Sequence, residues 1–194
     1  MPHLTFISVT STDRSRQERL RKLRNAKTVR MQSFTDHIIS REEHAKWIAS
    51  LNESRKQLAM AVLLGDKLIG AVTLSGIDMR AKSANWSFHI ARPYRGKGIG
   101  SLVLYKAIKY AFDERGLRKL RGDVLFSNAQ SARLHEKLGF ILETQKSKSV
   151  KKNGRLVGVS RYALSESRWR AVRPRMRKMA STIERRIRDR NSKT

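Results

Sequence analysis

From residue 95 to residue 100 the chain reads Arg-Gly-Lys-Gly-Ile-Gly, and an apolar repeat at three- and four-residue spacing (Leu104, Ala107, Ile108, Ala111) follows at once. A glycine-spaced turn that opens directly into a helix brings several backbone N–H groups to the positive end of a helix dipole, which is a ready anion site. Glycine at 96, 98 and 100 lets the backbone approach a diphosphate without Cβ clashes, and Arg95 and Lys97 add positive charge. The run lacks the Gly-Lys-Ser ending of a P-loop, and no acidic metal ligand stands near it, so no metal is expected. Glycine spacing of this kind also serves plain structural turns, so phosphate binding and a simple turn both stay open on the turn alone. The residue type best suited to moving protons near neutral pH is histidine. His44, His89 and His135 sit within the candidate elements described next, each with a plain structural alternative as a packed or solvated side chain.

These residues need a scaffold, and the hydrophobic pattern supplies one. LTFISVT at 4–10 reads as a first strand, followed from Asp13 to about Ala26 by a basic helical stretch carrying Leu20 and Leu23. Ser40 with Glu43 three residues later is a capping box at the head of REEHAKWIASL. QLAMAVLL and KLIGAVTL, joined at Gly65-Asp66, read as an antiparallel hairpin. In ANWSFHI, Trp86, Phe88 and Ile90 alternate with Asn85, Ser87 and His89. The helix after the glycine turn ends near Gly116, RKLRGDVLF is a strand, and Asn128 to Leu138 is a short helix closed by Gly139. FILETQKSKSV and RLVGVSRYAL flank KKNG, where Asn153-Gly154 offers the two positive-φ residues of a tight hairpin. The core is expected to be complete near Leu164, giving a domain over 1–164 and a basic tail over 165–194.

Of 194 residues, 43 are Lys or Arg against 16 Asp or Glu, a net charge of +27 that should draw polyanions of any kind. Charge alone does not choose between nucleic acid, an anionic membrane surface and a phosphate-rich small molecule. With 39% hydrophobic residues the composition is that of a globular domain, and LAMAVLL at 58–64 is too short to span a bilayer. There is no cysteine for a disulfide or a thiolate metal site, and the N-terminus has no secretory pattern, so a cytoplasmic location is expected. From Ser165 onward 11 basic residues stand against three acids, with a proline at 174, which predicts a mobile or partly helical arm able to meet nucleic acid or an anionic surface.

IARPYRGKGIG, then a helix, a strand and Asn128-Ala-Gln-Ser-Ala-Arg-Leu-His-Glu-Lys-Leu-Gly-Phe140, resembles the GNAT superfamily of acetyl-coenzyme A dependent N-acetyltransferases. Arg95, Gly98 and Gly100 match its cofactor loop, and the asparagine and the Lys-hydrophobe-Gly-Phe ending match its second motif, in the family's order and separation. The resemblance implies a mixed α+β fold with a mostly antiparallel sheet of six or seven strands, splayed in the middle and flanked by helices. It implies that the amides of Lys97, Gly98, Ile99, Gly100 and Ser101 hold the pyrophosphate beside Arg95 and Gly96. The backbone of Ile90 and Arg92 would pair with the pantetheine arm, Asn128 would orient that arm with Ser131 beside it, and a backbone N–H in the splay would stabilise the oxyanion. Where the family commonly has a tyrosine acid this chain has His135, so His135 is the expected general acid and His89 the expected base or water contact.

A second resemblance covers LRNAKTVRMQSFTDHIISREEHAKWIASL, which looks like the N-terminal region of nucleotide-linked amino-sugar N-acetyltransferases of the pseudaminic acid pathway type. It implies that Arg24, Asn25, Arg30, Met31 and His44 contact the acceptor, an amine on a nucleotide sugar. Acetylation of a protein N-terminus or lysine, and nucleic-acid or ribosome binding on the same fold, remain as alternatives, and homodimerisation stays open.

Overall fold

The computed structural model describes residues 3–96 and 98–191, so Lys97 of the glycine turn lies outside the described residues. Period-2 patterning in the first half of the chain lays down β1 (Leu4–Ser8), β2 (Gln57–Leu64), β3 (Lys67–Asp78) and β4 (Ser83–Ile90), paired antiparallel in that order. Ala59, Ala61 and Leu63 of β2 pack with Val9, Leu20, Ile48 and Leu51 on one face, whereas Val62 joins the larger core on the other. Helices therefore cover both faces: α1 (Arg14–Asn25) and α3 (Arg41–Glu53) one, α4 (Ile99–Lys109) and the C-terminal helix the other. The Ser40–Glu43 capping box forms as its sequence requires, Glu43 N donating to Ser40 Oγ at 3.1 Å and Ser40 N to Glu43 Oε2 at 2.6 Å.

The second half adds β5 (Lys119–Leu125), α5 (Ala129–Lys137), β6 (Ile141–Lys152) and β7 (Arg155–Ser165), giving a seven-stranded sheet of order β1-β2-β3-β4-β5-β7-β6. Only β4 and β5 run parallel, and they pair over three residues, Ser83, Ala84 and Asn85 with Lys119, Leu120 and Arg121. Past Asn85 the two strands diverge, so the expected mixed fold with a splayed, mostly antiparallel sheet is present. Asn153 (φ 48°) and Gly154 (φ 76°) make the tight β6–β7 turn. A short helix, α2 (Lys27–Arg30), was not foreseen, and α4 closes with a π-helical turn over Tyr110–Glu114.

Residues 166–191 correct the expectation of an arm outside the core. They form one helix, α6 (Glu166–Asn191), whose Trp169, Val172, Met176, Ala180 and Ile183 are buried against α4 and the sheet. The spacing of these five at three and four residues is a helical stripe, and it continues through Pro174 despite the backbone bond a proline removes. Trp169 lies between Tyr105 and Phe112, and its indole N–H donates to Asp113 at 3.4 Å. Among the described residues no helix is long and apolar enough to cross a membrane.

Candidate active site

Where β4 leaves the sheet, a 3-10 turn over Arg92–Tyr94 and two left-handed glycines, Gly96 (φ 78°) and Gly98 (φ 84°), swing the chain into α4. The first intrahelical bond of α4 runs from Leu102 N to Gly98 O at 3.1 Å, so the amides of Ile99, Gly100 and Ser101 have no helical partner. They mark the positive end of an 11-residue helix. Arg95 folds inward, its Nε donating to Ile90 O at 2.8 Å, which braces the turn; burial, then the neighbouring Arg92, lowers its pKa. A cleft of about 380 Å³ runs from this turn along Ile90 and Ser101 to Asn128 and Ser131. These features fit a pyrophosphate followed by a slender arm.

Ile90 O accepts from Arg95 Nε and Arg92 O accepts from Arg95 N at 3.1 Å, and each carbonyl keeps a second lone pair for an extended arm. Arg92 and Ile99 do not line the cleft; the Ile99 side chain packs in the core, and its amide alone is left for a ligand at the turn. Asn128 caps α5, its Oδ1 accepting from Ser131 N at 3.1 Å, which leaves its Nδ2 as the group facing the cleft's contents.

A second cavity of about 240 Å³ meets the first at Gln32, Ser33, Phe88, His89, Asn128 and Ser131. Its roof is the segment from α2 to Ile39, clamped from two sides. Asn25 grips Ile39 with both ends of its amide, at 2.9 Å each, and Arg21 adds a bond to Ile39 O at 2.8 Å. From the β6–β7 turn, Lys152 Nζ donates to Arg30 O at 3.0 Å and to Ser33 O at 2.6 Å, and Asn153 N donates to Asp36 Oδ2 at 2.6 Å. Burial lowers the Lys152 pKa, with Asp36 opposing. Gln32, Ser33, Lys152 and Asp36 were missed by sequence reasoning, since nothing local signals a contact spanning more than 100 residues.

Within the second cavity, the buried Arg24 Nη1 and His89 Nε2 have no hydrogen-bond partner among the described residues, and neither does Arg30 Nε of the roof segment. Native proteins rarely leave such nitrogens unpaired, so an ordered water or a ligand atom is their natural partner. Asn25 acts as the roof clamp, and Met31 is 57% exposed outside both cavities.

The three histidines separate. The His89 ring reaches both cavities while its Nε2 is sealed, and burial first, then Arg24 and Arg95, depresses its pKa to about 4, so it is neutral at pH 7. His44 lines neither cavity; it is buried on α3 against Trp47, ring centroids 5.4 Å apart, and burial followed by Arg21 lowers its pKa. It does not reach the acceptor side as expected.

His135 corrects the expected general acid. Ser131 O, which can only accept, lies 2.8 Å from Nδ1, and the Trp86 Nε1–H, which can only donate, lies 3.2 Å from Nε2. The ring is therefore the neutral Nδ1–H tautomer with neither nitrogen free, and burial lowers its pKa further. It packs between Phe140 and Tyr162, and Gly122 makes room for it, since a Cβ there would overlap His135 Nε2 and Trp86 Nε1. His135→Phe should accordingly cost about 1–3 kcal/mol through the unpaired indole N–H. A Tm drop with an unchanged pH–rate profile is the expected result; a lost limb of that profile would return His135 to the chemistry.

Comparison with known proteins agrees with this geometry. Residues 3–141 match the acetyltransferase (GNAT) domain family, and the chain belongs to it. It is 30% identical over 102 residues to spermidine N(1)-acetyltransferase of Vibrio cholerae, covering 53% of this chain and 59% of that protein. It is 28% identical over 108 residues to the putative ribosomal N-acetyltransferase YdaF of Bacillus subtilis, covering 56% and 59%, and 24% identical over 101 residues to acetyltransferase PseH of Campylobacter jejuni, covering 52% and 62%. The chain thus spans about three fifths of the length of these relatives. Among solved structures, V. cholerae spermidine N-acetyltransferase bound to CoA and spermine superimposes with a TM-score of 0.78 at 24% identity, over 86% of this chain and 97% of that one. The likeness extends the shared fold past the family match.

Proposed function

We propose that the protein transfers an acetyl group from acetyl-coenzyme A to a primary amine on an anionic acceptor, of which a nucleotide-activated amino sugar is the class that suits the site. The observation that carries this reading is a glycine turn at the positive end of α4, opening on a cleft that joins, at His89, a second pocket lined by the Arg24 guanidinium. Acetyl-coenzyme A, when bound, supplies the activated thioester. The amides of Ile99, Gly100 and Ser101 take its pyrophosphate oxygens, and Asn128 Nδ2 orients its arm. Lys97, outside the described residues, belongs to the same turn.

On the acceptor side Arg24 Nη1 offers an unpaired charged donor to the anionic group; Arg30 lines neither cavity. His89, whose ring lines both cavities and is neutral at pH 7, takes the proton that the amine nitrogen releases on attack. An anion on Arg24 offsets that residue's part in depressing the His89 pKa and moves it toward the working range; burial, the larger cause, holds it below an ordinary imidazole.

A polyamine acceptor, the substrate named for the V. cholerae relative, suits this pocket less well. Asp123 is the sole carboxylate among the lining residues, and Arg161 already holds it in a bidentate pair at 2.7 and 2.8 Å. Protein acetylation is favoured by one feature, the lysine-rich second half of the exposed edge strand β6 with Lys146, Lys148 and Lys151, which suits an RNA-rich target.

The test is mass spectrometry of products from acetyl-coenzyme A with UDP-, GDP- and dTDP-amino sugars, spermidine and ribosomal-protein N-terminal peptides. Acetylated nucleotide sugar is the expected product, and acetylated spermidine or peptide alone would overturn the acceptor class. Arg24→Leu should raise the KM for the anionic acceptor roughly 10- to 100-fold, from the loss of one charge-assisted bond, with donor affinity unchanged. An unpaired buried guanidinium adds little to stability, so this variant should fold.

A further inference from the structure

A third cavity lies on the outer side of the glycine turn. It is a groove of about 700 Å³ between the turn and α6, and it shares Gly96, Gly98 and Lys137 with the donor cleft, so the two are continuous. Its α6 wall carries Arg175, Lys178 and Arg186, and apolar side chains of Ile99, Met179, Ile183 and Ile187 line it beside these cations. Arg175 Nη2 is tied to Lys137 O at 3.1 Å, which holds α6 against the end of α5. Lys178 and Arg186 have no acidic partner among the described residues, although Arg170 pairs with Glu166 and Arg173 with Asp113 on the same helix. Arg170 and Arg173, near the start of α6, are thus neutralised, whereas Lys178 and Arg186 beside the glycine turn are left open.

Apolar walls with a cationic rim, reached by continuing past a pyrophosphate site, match a purine nucleoside carrying a phosphomonoester. We propose that α6 is part of the donor site: the groove receives the nucleotide end of the donor, and Lys178 and Arg186 select its ribose phosphomonoester. This rests on the acetyl-coenzyme A reading above. The chemistry fits on three counts. A phosphomonoester carries close to two negative charges at pH 7 and takes several donors at once. Met179 and Ile183 give the flat base a soft apolar surface. α6 lies beyond residues 3–141, the part of the chain matched by the family, so this wall is a property of this chain's C-terminal helix.

Isothermal titration of the full-length protein with coenzyme A and with 3′-dephospho-coenzyme A tests the proposal without turnover. The wild-type protein should bind coenzyme A about 10-fold more tightly, the product of two partly exposed ion pairs at roughly 3-fold each. Lys178→Ala with Arg186→Ala should erase that preference by weakening coenzyme A alone. Arg185→Ala, one position away and outside the groove, controls for loss of general charge and should change neither ligand's affinity. Equal binding of the two ligands by the wild-type protein, or equal weakening of both in the double variant, overturns the proposal and leaves the donor reading standing. Failure of the wild-type protein to bind either ligand instead overturns the donor reading itself.

Discussion

A chain ending at Ser165 is expected to lose cooperative unfolding altogether. The segment removed carries Trp169, Val172, Met176 and Ile183, all buried, with Trp169 and Met176 each only 1% exposed. Full burial of four such side chains is worth roughly 6–12 kcal/mol as an upper figure. That is of the same size as the whole stability of an ordinary domain, about 5–15 kcal/mol. Truncation also uncovers Tyr105, Phe112, Leu104 and Ile108, which α6 and its neighbours keep from water. Circular dichroism melting and size exclusion of residues 1–165 check this. A single sharp transition at the full-length Tm would show that α6 adds nothing to the core.

This expectation reverses the one that composition suggests, and the reason lies in which signal was weighed. Ten Lys or Arg residues between 166 and 191 and a proline at 174 look like a solvated arm. Yet Trp169, Val172, Met176, Ala180 and Ile183 recur at three and four residues, and that period was legible. Charge on the outer face of a helix says nothing about its inner face. Asp113, the partner of Arg173 and of the Trp169 indole, lies 60 residues from Arg173 and carries no local sign of the contact. The strands and the capping box were more open to reading because their causes are local: alternation, a Ser-x-x-Glu spacing, an Asn-Gly turn.

The site divides along the same line. The glycine turn could be read because positive φ and close approach demand particular residues there, and Gly96 and Gly98 do adopt them. The histidines could not be ranked, because an imidazole's role depends on what meets its two nitrogens. His135 is fixed by Trp86, 49 residues away, and by Ser131, four residues away. The second of these is a helix-spaced contact that sequence could have raised; the first depends on how α5 packs against β4. His89 differs from it in having one nitrogen sealed and unpartnered where the two cavities join, a fact of packing alone.

Gly98→Asp should abolish donor binding while leaving a folded protein. Gly98 has φ 84°, a left-handed conformation that an L residue adopts at a cost of roughly 1–2 kcal/mol, least for Asn and Asp. A Cβ there would also meet Ile183 Cδ1 and Cγ1 at 3.2 Å, so α6 must yield by a few tenths of an ångström. Both costs are well below the stability of the domain. The larger effect is electrostatic: a carboxylate at the N-cap of α4 occupies the place of a phosphate and accepts the amides of Gly100 and Ser101 itself. With acetyl-coenzyme A at about 100 times its Kd, binding should stabilise the wild-type protein by about 2.7 kcal/mol, a Tm rise of roughly 5–10 °C. Gly98→Asp should show no rise. Gly98→Asn, which brings the same strain and the same Cβ without the charge, should keep part of it. Equal shifts in all three proteins would place the phosphates elsewhere, and a loss in Gly98→Asn as complete as in Gly98→Asp would make the approach of backbone and Ile183, rather than charge, the property that the glycine protects.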